Sequence, residues 1–335
     1  MKKKGSSWMI WLQITITVCV ALVIYNKVDW GSVWISWRRI DLVWGAASVF
    51  LVMVTLGVTT LRWGFIARGL GSPLKNSTAF RFIWLGMFLN QAMPSTIGSD
   101  AARVWLLTRE GDQAGRALNG VLLDRVLSLL GILLLISISQ PWLLELTGGV
   151  AIGYMLLGWV GAMLLGLVGL VVVGGLDLPE SRYRIVRGAL NLIKDIRIYL
   201  LSPRLSLWPV VLTMFNFVVL SAVVYALAKG FGFSLAFEHS LILVPAVFLV
   251  SMLPISFAGW GVREGAMIVA LGLVGISETD ATALSIALGL LLLLIALPGG
   301  LFLVTLGGLN KWRRQVEQSE VGQEVDASAS DAKSS

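Results

Sequence analysis

Cysteine and histidine are almost missing from this 335-residue chain. Cys19 stands alone, so no intrachain disulfide can form and a cysteine-based metal cluster is excluded. His239 is also single, and no zinc- or haem-binding spacing surrounds it. Charge is scarce too, at 13% of residues against roughly 25% in soluble domains. No glycine-rich nucleotide loop occurs, so ATP hydrolysis is not expected, and no catalytic group, metal or cofactor is predicted. What fills the chain is apolar: 57% of residues, with a mean hydropathy of +0.84. These values exclude an ordinary soluble domain and predict an all-α polytopic membrane protein. The net charge of +7 then biases one membrane face and does not point to nucleic acid.

Lys2, Lys3 and Lys4 followed by an apolar stretch have the shape of a signal peptide. No small-x-small cleavage pattern closes that stretch, and Val18 before Cys19 argues against a lipoprotein site, so an uncleaved anchor is expected. Residues 1–310 are expected to form one transmembrane unit. Residues 311–335, carrying Glu317, Glu320, Glu324, Asp326 and Asp331 among Ser and Ala, are expected to be a disordered acidic cytoplasmic tail.

Six runs are long and apolar enough to span, at about 8–26, 41–62, 117–139, 150–174, 207–229 and 281–308. Two more segments, about 79–110 and 239–276, are apolar but interrupted near the middle, and neither half reaches the length of a span. Threading each as a re-entrant hairpin puts the basic stretches 62–116 and 182–204 on the same side as both termini. It leaves Lys27, Arg38, Arg39, Lys229 and Arg263 outside. The positive-inside rule favours that threading over single crossings. The unit helix, hairpin, helix then occurs twice, at about 41–139 and 207–308, with the second copy inverted. The basic segment from 178 to 207 reads as an amphipathic helix on the inner surface, either a topology determinant or a face for anionic lipid.

Both interruptions carry one pattern. Pro94 is followed by Gly98 and then Arg103; Pro254 is followed by Gly259, Gly261 and then Arg263, with each arginine nine positions after its proline. Proline removes a backbone donor and glycine relaxes the helix, so these are predicted helix breaks, and paired breaks mark binding sites in transporters with inverted repeats. Arg103 and Arg263 follow helix restarts whose free N–H groups favour anions, a pattern suited to a lipid headgroup. Structural ion pairing is the competing role, for example Arg263 with an acidic partner. Asp100 and Arg103 share a helix face, and the adjacent Asp124 and Arg125 lie about a turn and a half into the next helix, so a cross pair of Asp100 with Arg125, or of Arg103 with Asp124, would offset burial. Asn90, Gln91, Ser95, Thr96 and Asn119 at the first break, and Ser256 and Glu264 at the second, supply further polar groups.

Asn90-x-x-x-Pro94, Gly98-x-Asp100-x-x-Arg103, Asp124-Arg125 and Pro254-x-x-x-x-Gly259-x-Gly261-x-Arg263-Glu264 resemble the motifs of the lysylphosphatidylglycerol synthase transmembrane-domain family, also called flippase-like membrane proteins. The resemblance runs from about residue 10 to 310, with Ser99 standing where a second glycine is expected. It implies a lipid-handling protein of the cytoplasmic membrane that moves an anionic or polyprenyl-linked lipid, with Arg103, Arg125 and Arg263 meeting the headgroup. Aminoacyl transfer in the long members belongs to a separate soluble domain, which is not expected here. Two other functions fit the same residues. One is a scaffold presenting lipid to a separately encoded glycosyltransferase or synthase, and the other is an ion-coupled transporter in which Asp100 and Asp124 titrate.

Overall fold

The computed structural model describes residues 40–72, 74–92, 97–146, 151–176, 184–252 and 261–302, together with Gly31 and Gly148. Among these residues it is all helical, with ten α-helices: α1 Leu42–Gly69, α2 Asn76–Ala92, α3 Ile97–Arg109, α4 Ala114–Leu146, α5 Ala151–Val173, α6 Arg184–Leu201, α7 Pro203–Gly230, α8 Phe237–Ser251, α9 Val262–Gly272 and α10 Glu278–Ala296. A 3-10 turn, Leu297–Gly300, continues α10. The sequence dictates several of the starts. Asp41 caps α1 by accepting from the backbone N–H groups of Val43 and Trp44, Ser277 caps α10 through Asp280, and Ser202 with Pro203 opens α7.

α1, α4, α7 and α10 with its turn are long and apolar enough to cross a bilayer. α5 has 23 residues, which at 1.5 Å each is about 34 Å. Their outward faces are apolar: Leu42 and Phe50 on α1, Met155 and Leu165 on α5 and Leu294 on α10 are all exposed, as a lipid-facing surface requires. Hydroxyls inside the bundle are satisfied locally. Those of Thr60, Ser139, Thr213 and Ser221 all donate to carbonyls four residues earlier.

The two interrupted segments fold as pairs of short helices. α2 and α3 have 17 and 13 residues and pack on each other; α8 and α9 have 15 and 11 and do the same. None reaches the ~20 residues of a span. Contacts repeat across the chain. α1 packs on α2 as α7 does on α8, and α3 on α4 as α9 on α10. Between the two groups, α4 meets α7 and α8 while α10 meets α1 and α2, and α1 lies along α7 in the most extensive contact of all. Reciprocity of this kind is what two copies of one unit generate when they pack against each other. Small residues permit the closest approaches. A Cβ on Gly131 of α4 would lie 2.6 Å from the Thr213 side chain of α7, and one on Gly299 would lie 2.3 Å from the Trp84 carbonyl of α2.

Helix boundaries differ from expectation at two places. α1 runs on to Gly69 instead of stopping at 62, and α4 starts at Ala114, so Asp124 and Arg125 lie about three turns into it instead of a turn and a half. Arg62 is the cause of the first difference: read as a loop cation, it is a buried helical residue neutralised by Asp124. The run predicted at 8–26, the tail, Pro94, Pro254, Gly259, Ser95, Thr96 and Ser256 lie outside the described residues.

α6 occupies part of the basic segment and is held at the ends of α1 and α4. Ile196 and Tyr199 are buried against Ile66, Leu123 and Leu127. The Tyr199 hydroxyl donates to the Ile66 carbonyl at 3.0 Å, and burial pushes its phenol up to about 12, so it stays a donor at neutral pH. Asn119 donates to Asp195 at 2.6 Å, so its partner is α6 and not the first break. At the same end, Ser72 after α1 hydrogen-bonds Asp112 before α4. Cysteines placed at Arg116 and Leu205 in a Cys19→Ser background are therefore expected to react with a membrane-impermeant thiol reagent from the same side. Labelling from opposite sides of intact and inverted vesicles would contradict this arrangement.

A buried charge cluster and the cavity beside it

Five charges from three helices form an alternating chain. Asp124 on α4 is its centre: Oδ1 lies 3.0 Å from Arg62 Nε of α1, and Oδ2 accepts from Arg103 Nη1 of α3 at 2.9 Å. Arg103 also donates to Oδ1 of Asp100, one turn earlier in α3. Oδ2 of Asp100 in turn accepts from Nε of Arg125 at 3.0 Å and lies 2.9 Å from its Nη2. Both cross pairs expected as alternatives thus form together, linked through Arg103.

The local sequence explains the placement. Asp100 sits in the first turn of α3, where free N–H groups favour a negative charge, and Gly98 lies in the same turn. Asp124 and Arg125 are adjacent and so point to different sides of α4, one inward and one toward the opening. Burial grades along the chain accordingly. The Asp124 side chain is 4% exposed, that of Asp100 22% and that of Arg125 37%. Trp63 packs its ring 4.9 Å from the Arg103 guanidinium carbon, a cation–π contact that adds to the pairing. At the far end, Arg62 Nη1 donates to Thr213 of α7 at 3.2 Å, tying the cluster to the second half of the bundle.

Arg62, Arg103, Asp124 and Arg125 line a cavity of about 370 Å³. Asn90, Ser99, Ser128, Thr59 and Asn216 add neutral polar groups, and Leu56, Ile83, Met87, Phe217, Phe248 and Leu292 form apolar walls. The cavity lies between the two helix groups, with walls from α1–α4 and from α7, α8 and α10. Its lining carries three arginines against one aspartate, Asp124; with Asp100, which pairs with Arg103 and Arg125 from behind the lining, the cluster as a whole has a surplus of one positive charge.

The second break is built differently. Gly261 precedes α9 with φ of 86°, a left-handed conformation that suits glycine, and its N–H donates to Glu264. Glu264 also accepts from Arg263 at 2.8 Å and from Ser285 of α10 at 3.2 Å. All three side chains are buried. Arg263 and Glu264 do not reach the cavity lined by Arg103 and Arg125. Arg62 is the residue that the sequence reading missed as part of the site. Its signal was present: an arginine followed by Trp63, Gly64, Phe65 and Ile66 is still inside an apolar run and needs a buried anion.

The architecture and the membrane-embedded charge cluster define an integral membrane protein with a polar cavity between two similar helix groups. The family model described as "Lysylphosphatidylglycerol synthase TM region" matches residues 10–300, and the chain belongs to that family. The chain is also similar to a "UPF0104 membrane protein" of Methanothermobacter thermautotrophicus, with 24% identity over 321 residues covering 85% of this chain and 90% of that protein.

Burial predicts an asymmetric response to mutation. Asp124→Asn leaves the buried Arg62 without its anion and Arg103 with Asp100 alone, and should cost roughly 3–5 kcal/mol, whereas Arg125→Gln at the exposed end should cost no more than about 1 kcal/mol. Thermal or denaturant unfolding in detergent micelles measures both; equal losses would mean the cluster is not graded as described.

Proposed function

We propose that the protein is a non-catalytic lipid handler of the cytoplasmic membrane that takes the anionic headgroup of a phospholipid or polyprenyl-linked lipid into this cavity and moves it between leaflets. Arg125 and Arg103 meet the phosphate, and Arg62 with Asp124 holds them in place. Asn90 supplies a neutral hydrogen-bonding group beside them. The observation that carries the reading is an amphipathic cavity at the junction of two similar helix groups, with its surplus positive charge at the exposed end. A volume of about 370 Å³ suits a headgroup and its first carbons, while the acyl chains stay in the bilayer. Placement between the halves suits alternating access, in which relative motion of the two groups opens the cavity to one side and then to the other.

Arg263 would serve the opposite opening: it occupies the corresponding hairpin, and motion of α9 against α10 would part it from Ser285 while Glu264, its neighbour on α9, moves with it. Under this reading both termini face the cytoplasm, and the exposed basic residues Arg187 and Lys194 of α6 lie against anionic headgroups there. Membership of a family described by the transmembrane region of a lipid synthase supports the lipid assignment.

In proteoliposomes, the purified protein should accelerate loss of inner-leaflet protection of a fluorescent phosphatidylglycerol from dithionite, and Arg125→Ala should slow it by about tenfold or more. A rate for Arg125→Ala equal to the parent would overturn the site. Tight binding of lipid without movement, together with co-isolation of a lipid-modifying enzyme, would replace transport by presentation.

A further inference from the structure

We infer that Asp100 is a built-in competitor of the headgroup phosphate: the two bind Arg125 in turn, and their exchange ties headgroup arrival to the position of α3. The inference rests on the headgroup reading above and adds the means by which the site is regulated.

The two aspartates of the cluster are not equivalent. Asp124 is nearly inaccessible and holds an arginine on each oxygen, so no incoming anion can replace it without stranding the buried Arg62 and leaving Arg103 to Asp100 alone. Asp100 is more exposed, and its Oδ2 engages only Arg125, while Oδ1 engages Arg103. Arg125 presents Nε and Nη2 to that one oxygen, the edge-on geometry by which guanidinium also grips a phosphate oxygen. Arg125 lines the cavity, so a phosphate entering there meets a cation already held by a carboxylate of the same charge class.

Charge decides the outcome of the meeting. The alternating chain carries one surplus positive charge, enough to hold a single monoanion such as a phosphodiester. When that monoanion takes Arg125, Asp100 keeps Arg103 and the favourable N-terminus of α3. What is lost is the ion pair that joins Asp100 of α3 to Arg125 of α4; the Arg103–Asp124 pair remains as a hinge between the same two helices. Headgroup binding therefore frees the first turn of α3 from α4 without dismantling the cluster.

The test measures binding of dihexanoyl-phosphatidylglycerol to the full chain in zwitterionic micelles, with inorganic phosphate and dihexanoyl-phosphatidylcholine alongside. Asp100→Asn and Asp100→Ser, checked for fold by size exclusion, should each bind the anionic lipid about tenfold more tightly than the parent, and adding Arg125→Gln should remove the gain. A comparable gain for inorganic phosphate assigns the exchange to phosphate in general; a gain confined to the lipid assigns it to the headgroup. Unchanged or weaker binding by both Asp100 variants, with parental binding still abolished by Arg125→Gln, overturns the competition and leaves the headgroup site standing. Parental affinity in Arg125→Gln alone overturns the headgroup site itself.

Discussion

One carboxylate in an apolar bundle fixes how the first half of this molecule closes. Asp124 takes an arginine from α1 on one oxygen and an arginine from α3 on the other, while α4 supplies the carboxylate itself. Placing any of these charges in a membrane alone would cost several kcal/mol, so each of the three helices is satisfied only when the other two are in place. Hydrophobic packing between lipid-solvated helices cannot enforce such a register, because the lipid competes equally for apolar surface. The polar contact is therefore what selects one arrangement of α1, α3 and α4, and the cavity is the space that this arrangement leaves open.

The two halves share their packing plan but not their electrostatics. In the first, charge is distributed over three helices and reaches the cavity through Arg125. In the second, Arg263 pairs with its own neighbour Glu264, and α10 contributes the hydroxyl of Ser285. A neighbouring pair on one helix end costs little to keep when helices shift, whereas a pair spanning helices is broken by the shift. The first hairpin is thus the one whose position depends on an interhelical ion pair at its exposed edge, and the second moves with its charge already neutralised.

Much of this was legible in the residues. Runs of apolar sequence located α1, α4, α5, α7 and α10, the interrupted runs located the helix pairs α2–α3 and α8–α9, and the spacing of Asp100, Arg103, Asp124 and Arg125 announced their pairing. Arg62 was not, because counting charges as boundaries ends a span at its first arginine. The apolar residues that follow it show that an anion is needed, but which one becomes plain only when α1 is seen to lie against α4. Asn119 was misplaced for the same kind of reason: its partner Asp195 is remote in sequence and becomes a neighbour only when α6 docks. Local pattern fixes which residues are costly to bury; tertiary packing decides which of them meet.

Depth in the membrane follows from aromatic placement near the cluster. Phe65 stacks on Trp208 with ring centroids 6.5 Å apart, the Arg68 guanidinium lies 5.3 Å from the Phe65 ring, and both rings are exposed on the outside of the bundle. Aromatic rings beside an arginine mark the headgroup level of a spanning helix. Arg62 is about one turn deeper in α1, roughly 5 Å, which places the cluster just beneath that level and not at the bilayer centre. In the proposed role, a phosphate drawn a short way out of its own layer would exchange water for guanidinium here, beside the apolar wall of Phe217, Phe248 and Leu292. Guanidinium and apolar wall together match the two ends of a lipid, headgroup and chain, so under the proposed function this one cavity would favour a single orientation of its ligand.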